Sequence, residues 1–215
     1  MSTPMDIISP EGEGRGDRCS DWIISSTSNW HIATDTSWFT TFCKFGDDLK
    51  TFVYDYNFGR HECLGCGSID LDTDRTGLYV NPRPFEPVPK KLHLIHALYV
   101  PTAVCNVLSQ QKFEDEGVLS MGYPLLESKI TKTVIKHDKS GSEIGYFVNR
   151  TPPGFDFLKL AGSPWGVEAN FDQRRTPPLI TYYWPFSETG KFTGILKKAI
   201  PESAASLVLG ERSSN

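Results

Sequence analysis

The apolar residues of this chain come in short runs separated by turn formers, and that pattern restricts the fold more than any other feature. Trp22-Ile23-Ile24, Phe52-Val53-Tyr54-Asp55-Tyr56, the run 77–80, Leu92 through Val100, Glu143 through Val148 and Leu179 through Trp184 are all of strand length. Ser68-Ile69-Asp70-Leu71-Asp72 alternates strictly, which gives one buried and one wetted face. Many short strands with turn residues and little helix predict a mainly β chain that closes, or nearly closes, into a barrel. One helix is expected from Asn106 to Glu116, with Asn106 as N-cap, Val107, Leu108 and Phe113 on its inner face and Gly117 closing it. A second short helix is expected over Pro201–Leu209. Residues 81–89 and Thr151–Gly154, rich in proline, read as loops, and the polar, Gly- and Glu-rich residues 1–20 read as a flexible arm.

A chain of 215 residues can bury a real core, roughly 70% of its unfolded surface. Aromatic residues make up 12%, which suits strands and also a pocket for a flat apolar ligand. The net charge of −4 argues against nucleic acid as the main partner, because phosphate binding needs a basic face. Lys129, Lys132, Lys136 and Lys139 are interrupted by Glu127 and Asp138 and read as a solvated face. Five cysteines, an odd number, with no basic start followed by an apolar run, point to reduced thiols and a cytoplasmic location. No window approaches the ~18 apolar residues of a membrane span.

Several motifs in order resemble a known family. Trp22-Ile23-Ile24-Ser25-Ser26-Thr27 through His31-Ile32-Ala33 is similar to the Trp-apolar-apolar-Asp-Ser-Gly…His-apolar-Thr pattern of the retropepsin-like barrel in Copia-type retrotransposon polyproteins. Gly65-Cys66-Gly67 resembles the family's Gly-x-Gly strand turn, Leu98-Tyr99-Val100-Pro101 its strand end, and Asn106-Val107-Leu108-Ser109 its helix start. Ile130 through Phe147 and Phe157-Leu158-Lys159-Leu160 resemble its closing strands. The resemblance covers residues 21–160 and implies a retropepsin-like barrel there, after the arm 1–20, with 161–215 as a C-terminal extension packing on the barrel. It also implies pairing into a homodimer.

The departures bear on chemistry. The family's aspartate, which activates water opposite its dimer mate, is Ser25 here, and the glycine two residues on is Thr27. A serine hydroxyl cannot replace the two carboxylates that share one proton. The expectation is therefore no peptide cleavage at any acidic pH. A Ser25→Asp change alone should give no rescue either, because Thr27 lacks the freedom of the glycine that turns the loop.

Other constellations weigh less. Cys63-x-x-Cys66, in an expected Gly-rich turn, and His93-x-x-His96 have zinc-like spacing, but the two histidines point to opposite faces of one strand, so no metal is expected. Ser25 and His31 lack a nucleophile-elbow sequence, and a structural hydrogen bond is the plain reading of His31. No phosphate loop or dinucleotide fingerprint is present, so no cofactor is expected. The five tryptophans, Trp22, Trp30, Trp38, Trp165 and Trp184, read as core or as the wall of an aromatic cavity.

The function expected from this reading is a non-proteolytic barrel that binds an apolar small molecule and promotes a cofactor-free, Diels–Alder-type cyclisation. It would do so by orienting the substrate and hydrogen-bonding a carbonyl. Small fungal proteins of the cytochalasan-type Diels–Alderase family are the comparison for such a secondary-metabolite enzyme. Ser25 and His31 are the candidate catalytic residues; Trp22, Thr27, Trp30, Trp38 and Tyr99 are the candidate substrate-binding residues. The alternative is a retropepsin-like module that kept pairing and lost chemistry. A buried cavity of at least ~300 Å³ would favour the enzyme, and a filled interior with an exposed apolar patch would favour the module.

Overall fold

The computed structural model describes residues 21–47, 49–74, 90–116, 119–122, 132–137, 143–150, 155–161 and 180–191. The arm 1–20 with Cys19, the runs 77–80 and 81–89, the loop 151–154, Trp165 and the expected helix 201–209 lie outside them.

The described chain is mainly β, as the short-run pattern predicts. Its strands are β1 Trp22–Ser25, β2 His31–Ala33, β3 Phe39–Lys44, β4 Thr51–Asp55, β5 Arg60–Cys63, β6 Gly65–Thr73, β7 Lys90–Tyr99, β8 Asn106–Ser109, β9 Leu119–Gly122, β10 Lys132–His137, β11 Glu143–Arg150, β12 Phe155–Leu158 and β13 Tyr182–Tyr183. A single 3-10 turn, Thr36–Trp38, precedes β3, and the helix α1 spans Gln110–Glu116. Ten strands form one sheet in the order β3-β6-β7-β2-β8-β1-β12-β11-β10-β9, and β13-β4-β5 form a second. No helix among the described residues is long and apolar enough to cross a membrane.

The expected closed or nearly closed barrel is, among the described residues, an open sheet that meets itself at one place. Thr73 at the end of β6 bridges Leu160 beyond β12, flanked by Asp74 N–H to the Lys159 carbonyl at 3.0 Å and Ala161 N–H to the Asp72 carbonyl at 2.8 Å. No ladder joins the outer strands β3 and β9.

Residues 106–109 are a strand, not the first turn of a helix. β8 lies between β1, which it parallels, and β2, which it opposes. All four of its residues are buried, so both sheet faces are covered there, and a continuous apolar run fits that position. Asn106 is no N-cap: its side-chain oxygen accepts from the Thr34 N–H at 2.8 Å and the Thr34 hydroxyl at 2.9 Å. Ser109 takes the capping role, its Oγ accepting from Lys112 N–H at 3.0 Å.

Alternation splits the core. Ile23, Ile32 and Val107 pack with Val53, Tyr182 and Trp184 on one side of the central strands. Trp22, Ala33 and Leu108 pack with Ile69, Leu94 and Phe113 on the other. In β6, Ile69 and Leu71 are buried while Asp70 faces His93 across the ladder. Gly65 and Gly67 lie inside β6 rather than in a turn. A Cβ on Gly67 would stand 1.9 Å from the Thr41 carbonyl oxygen. Glycine is there because β3 comes too close for any side chain.

Candidate functional site

β1 and β2 are joined by residues 26–30, which arch over the end of β8. Ser109 ties the arch down: its hydroxyl donates to the Ser28 carbonyl at 2.6 Å, and its N–H donates to His31 Nδ1 at 3.0 Å. The bond to Nδ1 requires a lone pair there, so the proton of neutral His31 sits on Nε2. The ring is fully buried against Phe113, with centroids 4.8 Å apart. Burial, with Lys112 and His96 adding to it, pushes its pKa down to about 3.

The outer side of the arch carries an extended segment from the far end of the chain. The Ser25 hydroxyl donates to the Ile180 carbonyl at 2.9 Å, and the Thr27 and Thr181 hydroxyls are hydrogen-bonded. Tyr182 N–H donates to Ser28 Oγ at 2.9 Å. Asn29 binds Trp184 twice, donating to its carbonyl at 2.9 Å and accepting from its N–H at 2.8 Å. Tyr182 and Tyr183 pair on their other side with Asp55 and Tyr54 of β4. Ile180, Tyr182 and Trp184 are buried, while Tyr183 is exposed, so alternate side chains enter the core. Trp184 Nε1–H reaches Thr51 Oγ1 at 2.8 Å, and its ring stands edge-on to Trp30 at 4.8 Å.

No known protein family, curated protein or solved structure matches this chain. What the site can do therefore follows from its own geometry.

Ser25, Thr27 and Trp30 come together around residues 180–184, but Ser25 and His31 do not form a pair. The Ser25 hydrogen is given to Ile180, and its oxygen accepts from Ser28 N–H at 3.1 Å and Thr27 N–H at 3.4 Å. Trp22, Trp38 and Tyr99 belong to the opposite side of the sheet. There Trp22 meets Trp38 edge-on at 5.6 Å, and Tyr99 stands against Phe39 and Phe42. The candidate substrate-binding residues thus serve two separate interiors. Sequence reasoning did not single out Ser28, Asn29 and Thr51, because nothing local marks a polar side chain as the partner of a strand so far along the chain.

The zinc spacing has no structural counterpart. Cys63 ends β5 and Cys66 lies in β6, not in a turn. Burial pushes the Cys63 thiol up to about 12 and the Cys66 thiol well above its ordinary value, so neither is a thiolate near neutral pH. No group of three metal-binding side chains occurs among the described residues.

Thr27 does not obstruct the turn. Phe58 is the only non-glycine with positive φ among the described residues, so Thr27 keeps an ordinary backbone. The arch is closed by the Ser25 oxygen instead. A Ser25→Asp variant should still gain no peptidase activity, but for a different reason: its carboxylate would face the Ile180 carbonyl. An ionised aspartate cannot donate, so near neutral pH the Ile180 carbonyl loses its partner. The variant should lose about 1–3 kcal/mol at pH 7, read from urea midpoints. Peptide cleavage by this variant would overturn the assignment of position 25.

Proposed function

We propose that this chain is a retropepsin-like β module that holds an extended peptide segment instead of cutting one, and that the segment it exchanges is residues 180–185 of a second copy. The observation that carries this reading is the set of bonds from Ser25, Ser28 and Asn29 to the backbone of Ile180, Tyr182 and Trp184. Backbone bonds on both edges of a strand, with alternate side chains filling pockets, are how sheet-augmenting sites grip peptides. The Copia-type resemblance supports the retropepsin-like frame, and so does β8 seated between the two strands that the arch connects. Ser25 suits holding, since its hydroxyl satisfies the Ile180 carbonyl. The eighteen residues 162–179 can reach about 60 Å when extended, enough to deliver the segment to a neighbour. Exchange of identical contacts costs little.

The test mixes two differently tagged full-length chains after brief warming and measures co-purification. Mixed dimers should form, and Asn29→Ala should reduce them several-fold because it removes two of the bonds. Strictly monomeric chains, or dimers indifferent to Asn29→Ala, would eliminate the proposal.

A second reading is cofactor-free cyclisation of an apolar substrate, which has an open surface hollow rather than a buried cavity in its support. An open hollow of about 830 Å³ is lined by Tyr54, Tyr56, Phe58, Tyr183 and Pro185, a surface suited to a flat polyene. Its wall contains none of Ser25, Thr27, Trp30 or His31. An identical product ratio with and without protein, using a linear polyene substrate, would dismiss this reading.

A further inference from the structure

The facing ends of β4 and β5 and the turn after β7 bring together a second constellation, which meets the arch only through Tyr182. His61 Nε2 lies 3.3 Å from Asp55 Oδ2, and His61 Nδ1 lies 3.0 Å from Thr102 Oγ1. A carboxylate can only accept, so the proton sits on Nε2, and Nδ1 presents its lone pair to the threonine hydroxyl. That is a nucleophile within reach of a base, with the base oriented by an acid. The acid is itself held in place: Asp55 Oδ1 accepts from Asn57 N–H at 2.9 Å and Gly59 N–H at 2.7 Å. A Cβ on Gly59 would stand 2.6 Å from Asp55 Oδ2, so glycine is what leaves room for the carboxylate. Tyr182 supports the imidazole edge-on at 5.5 Å.

Two further features mark the turn joining β4 to β5 as more than a tie between strands. Phe58 sits at φ 60°, a left-handed conformation costly for a bulky residue, and is 87% exposed. The turn thus presents an aromatic ring to solvent against both backbone and hydrophobic preference. That ring, with Tyr54, Tyr56 and Tyr183, lines the open hollow, and Asp55 forms part of the same wall.

We propose that Asp55, His61 and Thr102 form an acyl-transfer site for small esters bearing an aromatic or other flat apolar group; the hollow adjoins this triad only at Asp55, and His61 and Thr102 lie outside its wall. Thr102 Oγ1 attacks the ester carbonyl carbon while its proton passes to His61 Nδ1, and Asp55 stabilises the imidazolium through Nε2–H. The carbon–oxygen bond to the alcohol breaks, and the alcohol leaves with the proton from His61. Water, deprotonated by His61, then attacks the acyl-threonine, releasing the acid and restoring the hydroxyl.

The test uses the full chain with p-nitrophenyl acetate and p-nitrophenyl benzoate. Hydrolysis should exceed the buffer rate, be faster with the benzoate, and fall on the order of 100-fold or more in His61→Gln and Thr102→Val. Thr102→Ser should retain activity, and mass spectrometry of a quenched reaction should place the acyl group on Thr102. A purely structural network would leave turnover at the buffer rate in every variant. Turnover at the buffer rate in the parent, or activity unchanged in Thr102→Val, overturns the proposal.

Discussion

Replacing Trp184 by alanine should remove about 3–5 kcal/mol of stability, a large part of what a domain of this size possesses. The side chain is 1% exposed within the core that includes Ile23, Val53 and Val107, so truncation leaves a large void rather than a wetted surface. It also leaves the Thr51 hydroxyl, itself fully buried, without the indole N–H that it accepts. Trp30 loses its edge-on partner. Trp184→Phe should restore most of the packing but not the indole bond, at a cost of about 1–2 kcal/mol. Urea denaturation of the three proteins measures both steps. A loss below ~1 kcal/mol for the alanine variant would mean that residues 180–184 contribute little to the folded core, and the peptide-holding proposal would lose its basis.

Lowering the pH from 6.5 should destabilise the protein through His31 by about 1.4 kcal/mol per pH unit. Its folded pKa, about 3, lies below the ordinary 6.5, so the native ring stays neutral while the unfolded ring takes up a proton. The unfolded state therefore binds more protons throughout that window, and stability rises with pH until about 6.5 and then levels off. Between pH 6.5 and 4.5, above the range where most carboxylates titrate, the loss should reach about 2–3 kcal/mol. His31→Gln keeps an acceptor for the Ser109 N–H and removes the titration. That variant should be less stable than the parent at pH 7 and show a flatter profile below it. Equal slopes in parent and variant would show that the ring at position 31 is accessible to protons in the folded state.

The two predictions rest on residues of unequal legibility. Strand character was readable wherever the pattern was local: the alternation in Ser68–Asp72 appears as buried Ile69 and Leu71 beside outward Asp70 and Asp72. The apolar run at Trp22–Ile24 reads as a strand because both faces of β1 are covered. Asn106–Ser109 reads with equal ease as a helix start. Only its insertion between β1 and β2 selects the strand, and that insertion is a property of the chain path rather than of four residues. His31 could be marked as a structural histidine, but not as one that accepts from Ser109.

The site itself was the least visible part. That position 25 carries a serine where the resembled family has an acid could be read directly. That Asn29 would grip Trp184 across 155 positions could not. Periodicity and turn chemistry act over a few residues and so are written locally in the chain. Partners brought together by strand order are settled only when the whole sheet assembles. The same holds for Asp55, His61 and Thr102, unremarkable apart and adjacent because β4, β5 and the turn after β7 converge.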